Sequence, residues 1–145
     1  MSYKEELEDF YNNDGIILAD RYATANMVHQ AGKIDDIEQR NKFLNWLFEL
    51  EFKIYKIPIP DTVFFLDIPV EYNEKFMEGR KNKDLNRSKK DIHEGDNNHL
   101  KDSYHNAVSL VDKYSWVRIN CINNGKLKSI EDIHIEIYNI VKGKL

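Results

Sequence analysis

Two kinds of apolar pattern alternate along the chain. Continuous apolar runs at Ile16–Ala19, Val63–Leu66 and Trp116–Cys121 are typical of strands buried in a parallel sheet. Between these runs, apolar residues recur three and four positions apart, which predicts amphipathic helices. Strands that alternate with helices predict an α/β fold, in which a parallel sheet carries helices on both faces.

Three helices are predicted before the second strand. The first opens with a capping box at Ser2 and Glu5 and ends before Asn12–Gly15. A short helix over Ala23–Ala31 is expected to stop at Gly32, and a longer helix covers about Asp36–Tyr55. Its buried stripe is expected to consist of Leu44, Leu47, Phe48 and Phe52.

The second half of the chain predicts three further helices. One follows Pro69 and runs to about Arg80, and another places apolar residues from Leu100 to Val111 on one face. The segment 81–98 between them is polar and aperiodic, which predicts an irregular segment. Asn124-Gly125 predicts a turn, and Ser129 is a candidate cap for the last helix. That helix is expected to bury Ile133, Ile137, Ile140 and Val141.

Composition narrows the class of protein. The 145 residues suit one domain, and a hydrophobic content of 41% is enough for a core. A formal net charge of −4 gives no general attraction to nucleic acid or to acidic membranes, so neither partner is expected. With a single cysteine, Cys121, the chain forms no internal disulfide, which indicates a cytoplasmic protein.

The residues that follow the first two strands could carry chemistry, because ligands bind at the carboxyl ends of strands in such sheets. This rule points to Asp20-Arg21-Tyr22 and to the loop after Asp67. An aspartate can hold Mg²⁺, and an arginine can bind a phosphate with two hydrogen bonds. Phosphoryl transfer needs both groups. The alternative is a structural ion pair that closes the strand.

A basic cluster and the histidines are the other residues whose chemistry could form a site. The cluster, which spans Arg80 to Lys90, is typical of a lid that closes over polyphosphate, or of a solvated loop. It lacks the interleaved aromatic residues of a nucleic-acid surface. The histidines have no metal-binding spacing; they are His29, His93, His99, His105 and His134.

Four segments resemble bacterial thymidylate kinases. The segment 15–30, GIILADRYATANMVHQ, is similar to the central signature of that family. The segment 58–83 resembles the family's next strand and helix, 90–94 the acidic end of its lid, and 116–140 its last strand and helix. The four lie in the family's order. The resemblance implies ATP-dependent phosphorylation of dTMP to dTDP, a step towards dTTP, with Mg²⁺, ATP and a possible homodimer.

The resemblance also implies roles for particular residues. Asp20 corresponds to the aspartate that works with Mg²⁺, and Arg21 to the arginine that contacts the dTMP phosphate. The nucleoside of dTMP would be bound by Asn26, His29 and Gln30, although the family usually has tyrosine at the position of His29. Arg80 and Arg87 correspond to lid arginines of the catalytic site, with Arg80 over ATP. Asn123 lies in the loop expected near the adenine.

The family's N-terminal elements have no counterpart in the sequence, which contains no Gly-x-x-x-x-Gly-Lys-Ser/Thr. The family's phosphate-loop (P-loop) kinase fold has five strands in the order 2-3-1-4-5. We expect residues 1–145 to form the C-terminal portion of one such domain, N-terminally truncated, with three of the five strands and a lid at about 81–98. The alternative function is a catalytically incompetent fragment, or half of a split kinase, with a structural role or weak nucleotide binding.

Overall fold

The computed structural model describes residues 3–13, 15–72 and 91–145. The helices are α1 (Tyr3–Asn12), α2 (Ala23–His29), α3 (Ile37–Phe48), α4 (Asp91–Tyr114) and α5 (Ile130–Lys142). The strands are β1 (Phe64–Asp67), β2 (Val117–Asn120), β3 (Ile122–Asn123) and β4 (Lys126–Leu127). A 3₁₀ helix covers Ala31–Lys33, and a π-helical segment covers Glu49–Ile54. The chain divides into two compact units, Met1–Asp61 and Thr62–Leu145.

The N-terminal unit is helical. In α2 and the 3₁₀ helix that follows, Ala23, Met27 and Ala31 are buried, and their spacing of four residues places them on one face. Helix α3 begins where the Asp36 carboxylate accepts a hydrogen bond from the Gln39 amide at 2.8 Å. The predicted short helix and the longer helix after it are therefore confirmed, with a 3₁₀ turn in place of a stop at Gly32.

The predicted stripe of α3 is only partly buried. Leu44 and Leu47 lie in the core, whereas Phe48 and Phe52 are half-buried and contact each other with ring centroids 4.9 Å apart. The π-helical segment explains the difference at Phe52, because its wider turn rotates the residues after Glu49 away from the line of the α-helix.

The predicted strand at Ile16–Ala19 is wrong. This segment has no strand structure, and its side chains are exposed, with Leu18 at 85%. A strand requires a neighbour that satisfies its backbone groups, and no described residue of the N-terminal unit pairs with this one. The apolar run was a necessary condition for a strand and not a sufficient one. The capping box at Ser2 lies outside the described residues, although α1 itself forms from Tyr3.

A parallel strand pair organises the C-terminal unit. Strands β1 and β2 run parallel, in a register that joins Phe64 to Val117 and Asp67 to Asn120. Ile119 on β2 has 0% exposure, and α4 contributes Ala107, Leu110 and Val111 to the same unit's core. The predicted second and third strands are therefore confirmed. The chain combines helices with a small parallel sheet, as the α/β prediction requires at its coarse level.

Helix α4 begins earlier than the sequence pattern predicted. Its first residue, Asp91, lies inside the segment 81–98 that was expected to be irregular. Once a helix is nucleated it extends at little cost, and the buried half of α4 provides the packing that stabilises it. The helix predicted after Pro69 is present as helical residues 70–72. The remainder of that helix and the start of the lid lie outside the described residues.

A hairpin and a capped helix complete the C-terminal unit. Asn124 and Gly125 have φ values of 49° and 74°, as a type I′ turn requires, and they join the antiparallel strands β3 and β4. The predicted turn is confirmed, although these strands were not predicted. Ser129 caps α5 by accepting a hydrogen bond from the Asp132 amide at 3.0 Å. The expected stripe of α5 is half-buried at each of its four positions, Ile133, Ile137, Ile140 and Val141.

Among the described residues, no helix is both long enough and apolar enough to cross a membrane.

Candidate functional site

The Asp20-Arg21 pair lies in the irregular segment that leads into α2. Both side chains are exposed, and neither forms a hydrogen bond or ion pair with another described residue of the N-terminal unit. Arg21 has a φ of 67°, in the left-handed region that costs an L-residue about 1–2 kcal/mol. Within the described part of this unit, the structure therefore shows neither the strand nor the ion pair of the structural alternative. It shows an exposed carboxylate beside an exposed guanidinium on a strained backbone.

Tyr22 attaches this segment to the rest of the N-terminal unit. Its hydroxyl donates a hydrogen bond to the carbonyl oxygen of Pro58 at 3.0 Å. Burial raises the pKa of the Tyr22 phenol, and the nearby negative charge of Glu51 raises this pKa further. The phenol therefore remains protonated at neutral pH and keeps its donor. The sequence does not predict this role for Tyr22, since nothing in it places Tyr22 near Pro58.

The three residues expected to contact the nucleoside lie together on α2 or at its end. Asn26 and Gln30 are exposed and one helical turn apart, and His29 between them is half-buried. The Gln30 side-chain oxygen accepts a hydrogen bond from Lys33 Nζ at 3.2 Å, which leaves its NH₂ group to point elsewhere. This side of the helix can offer amide and imidazole groups to a polar ligand.

A second polar cluster lies in the C-terminal unit, at the end of β1. The buried Asp67 carboxylate accepts a hydrogen bond from Tyr104 Oη at 2.8 Å through one oxygen. Its other oxygen accepts from Arg118 Nε at 2.7 Å and lies 2.6 Å from Arg118 Nη2. Asp67 and Arg118 project from the same face of the strand pair, because Phe65 is the register partner of Arg118.

The pKa values of Tyr104 and Arg118, the two partners of Asp67, are both raised. Burial raises the pKa of Tyr104, and the hydrogen bond to Asp67 raises this pKa further. The hydrogen bond from Arg118 to Asp67 raises the pKa of Arg118. Because three donors already occupy the carboxylate, Asp67 serves to join β1, β2 and α4. The sequence pattern predicted a site in the loop after Asp67 but did not predict the partners of the Asp67 carboxylate. The available signal was an arginine inside an otherwise apolar strand.

The remaining predicted site residues are distributed as follows. Asn123 is exposed on β3, where its register partner is Lys126. It belongs to the C-terminal unit, whereas the five residues from Asp20 to Gln30 belong to the N-terminal unit. The lid residues Arg80 and Arg87 lie outside the described residues. Cys121 is fully buried and burial raises the pKa of its thiol, as expected of a core residue.

The described side chains suit Mg²⁺ only if a bound nucleotide supplies part of its coordination shell. Within residues 3–13, 15–72 and 91–145, no three His, Cys, Asp or Glu side chains gather as a metal cluster. Mg²⁺ bound with a nucleotide commonly takes one or two carboxylates and completes its shell with phosphate oxygens and water. The exposed carboxylate of Asp20 fits that arrangement, whereas the saturated carboxylate of Asp67 does not.

Comparisons of the chain with protein-family models, with curated proteins and with solved structures found no match.

Proposed function

We propose that this chain acts in the ATP-dependent phosphorylation of dTMP to dTDP, and that its N-terminal unit binds dTMP. The observation that carries the proposal is the exposed guanidinium of Arg21, which no described side chain of its own unit neutralises, on a backbone held at a φ of 67°. Backbone strain of this kind is characteristic of functional sites. The similarity of four segments to thymidylate kinases supplies the identity of the substrate.

Each residue then has a chemical task. Arg21 binds the phosphate of dTMP, and the nucleoside is bound by the polar side of α2, namely Asn26, His29 and Gln30. Asp20 holds Mg²⁺, which neutralises the phosphates of ATP when it is bound. The lid arginines Arg80 and Arg87 stabilise the charge that develops during transfer, and Asn123 contacts the adenine. Phosphoryl transfer depends mainly on such positioning and neutralisation, so no covalent intermediate is required.

The proposal extends to the fold and to the setting. In a P-loop kinase order of 2-3-1-4-5, the last two strands are parallel neighbours, and the parallel register of β1 and β2 supports that assignment. The cytoplasmic location and the possible homodimer expected from the sequence belong to the same proposal.

A direct assay tests the activity. The purified chain is incubated with dTMP, ATP and Mg²⁺, and dTDP is separated and quantified. We expect dTDP formation that requires Mg²⁺ and falls by about 10-fold or more in Arg21→Ala, because a charge-assisted hydrogen bond to phosphate contributes about 1.5–3 kcal/mol. Tyr11→Phe, an exposed change in α1, is the matched control and retains full activity. Equal dTDP from wild type and Arg21→Ala would overturn the proposal.

A second candidate is nucleotide binding without turnover. The sequence feature that favours it is the absence of Gly-x-x-x-x-Gly-Lys-Ser/Thr from the 145 residues, since that loop normally holds the phosphates of ATP. Calorimetry with dTMP separates the two candidates. Binding that Arg21→Ala weakens, without dTDP formation, supports the second candidate. A complete lack of dTMP binding leaves only a structural role and contradicts both.

A further inference from the structure

The left-handed backbone of Arg21 differs in its setting from the other left-handed residues in the described part of the chain. Lys56 and Ser115 follow the ends of helical segments, where a left-handed residue commonly closes the last turn. After α4 the Trp116 amide donates back to the Val111 carbonyl at 3.0 Å, as that type of helix end requires. Asn124 lies in the hairpin turn. Local geometry therefore accounts for these three residues.

Arg21 has no such local explanation. It precedes α2, and Tyr22, the residue between them, is extended with φ and ψ of −145° and −166°. The usual conformation before a helix is extended, and no rule of helix initiation requires a left-handed residue at this position. Because the conformation is intrinsically unfavourable, a contact outside the local segment must stabilise it.

The hydrogen bond between Tyr22 and Pro58 is that contact. The acceptor lies in a short loop that two prolines, Pro58 and Pro60, restrict, because each fixes its own φ. The loop is joined to the preceding helical segment by a hydrogen bond from the Ile57 amide to the Glu51 carbonyl at 3.2 Å. The Tyr22 side chain is therefore anchored to a stiff element. Since Tyr22 and Arg21 share a peptide group, this anchor restricts the backbone of Arg21.

The geometry points to Tyr22 as a positioning residue, whose hydrogen bond to Pro58 holds Arg21 in the left-handed conformation that presents its guanidinium to a nucleotide phosphate. The inference rests on the proposed function, because it takes the phosphate of dTMP as the ligand of Arg21. It predicts a specific defect when the hydroxyl is removed. Arg21 would then relax to ordinary backbone conformations, and only a fraction of molecules would present the guanidinium.

The size of the defect follows from the backbone preference. A left-handed L-residue is disfavoured by a factor of about five to thirty when nothing compensates. The apparent affinity for the phosphate falls with the fraction of competent molecules. Other contacts of the segment persist, so we expect Tyr22→Phe to weaken dTMP binding by about three- to tenfold. Binding of thymidine, which lacks the phosphate, should be unchanged.

Calorimetric titration of the full chain with dTMP and with thymidine tests the inference. Tyr22→Phe should lose affinity for dTMP alone, and the matched control Tyr11→Phe should lose affinity for neither. In an Arg21→Ala background, adding Tyr22→Phe should weaken dTMP binding no further, because the hydroxyl acts through Arg21. An equal loss for dTMP and thymidine would show a general structural role, and an unchanged dTMP affinity would show no role; either result overturns the inference.

A second measurement separates this inference from the proposed function. The distance between the amide and α protons of Arg21, measured by NMR from their nuclear Overhauser effect without nucleotide, distinguishes the two conformations, because it is shorter at a positive φ than at the negative φ of ordinary residues. We expect the short distance in the wild type and a longer average distance in Tyr22→Phe. If the wild type binds neither dTMP nor thymidine, the proposed function fails, but this distance still decides the structural part. An unchanged distance in Tyr22→Phe refutes the claim that the hydroxyl holds the backbone.

Discussion

Replacement of Arg21 by glycine should make the protein more stable while it removes the proposed phosphate contact. Glycine adopts a positive φ without steric cost, whereas every other residue at a φ of 67° is strained. The informative quantity is the difference in stability between Arg21→Gly and Arg21→Ala. Both variants remove the guanidinium, but only glycine removes the strain.

The expected magnitude combines two opposing effects. Relief of the left-handed conformation contributes about 1–2 kcal/mol, and the greater freedom of glycine in the unfolded chain costs about 0.5–1 kcal/mol. The free energy of unfolding of Arg21→Gly should therefore exceed that of Arg21→Ala by about 0.5–1 kcal/mol. At a residue with ordinary backbone angles the sign is reversed, since glycine is then less stable than alanine by about 1 kcal/mol.

Urea unfolding followed by circular dichroism measures this difference. Two positions in the N-terminal unit serve as controls for this difference between the glycine and alanine variants. At the left-handed Lys56 the difference should have the same sign as at Arg21, and at the exposed helical Asn45 it should have the opposite sign. Both Arg21 variants should lose dTMP affinity equally in calorimetry. If Arg21→Gly is less stable than Arg21→Ala, the backbone of Arg21 is not strained, and backbone strain does not support the proposed function.

Three further predictions concern packing and pH. Asp67→Asn should lower the free energy of unfolding, measured in urea, by about 2 kcal/mol, because Arg118 loses its charged acceptor; the half-exposure of Arg118 to water limits the loss. The control Asp112→Asn, at an exposed position, should change the free energy of unfolding little. Ser129→Ala should cost about 1 kcal/mol in the same measurement, since it removes the acceptor for the Asp132 amide. Folding raises the pKa of three phenols, those of Tyr22, Tyr104 and Tyr114, so their contribution to the free energy of unfolding should be fully present below pH 10.0, the ordinary pKa of tyrosine. This contribution should be lost as the pH rises through the raised pKa values. An unfolding midpoint that does not fall above pH 10.0 would contradict the raised pKa values.

The sequence predicted the elements whose cause is local. Ser129 caps α5 through an amide three residues away, and Asn124-Gly125 turns the chain with its own two residues. A local cause is visible in the order of residue types, so these features were predictable. The hydrogen bond from Tyr22 to Pro58 joins residues 36 positions apart, and the ion pair from Arg118 to Asp67 joins residues 51 positions apart. No periodicity in the sequence records either contact.

The strand predictions show the same division. Ile16–Ala19 and Val63–Leu66 have equally apolar sequences, yet the first is irregular and exposed, whereas the second supplies most of β1. The difference is the partner. Residues 64–67 pair in register with β2, which continues the ladder at both ends through the Val117 and Cys121 amides. The apolar composition of a segment indicates that it can form a strand, and backbone pairing decides whether it does.

Two aspartates with similar sequence contexts differ in the structure in the hydrogen-bond donors that contact them. Asp20 and Asp67 each follow an apolar run, and the rule for parallel sheets pointed to both as ligand sites. Asp67 meets the donors of Tyr104 and Arg118, which occupy both of its oxygens, so a metal ion could bind only by displacing them. Asp20 is exposed, and no described residue of its own unit donates such a hydrogen bond to it. Of these two carboxylates, Asp20 alone is available to Mg²⁺, because the cost of breaking existing hydrogen bonds falls only on Asp67.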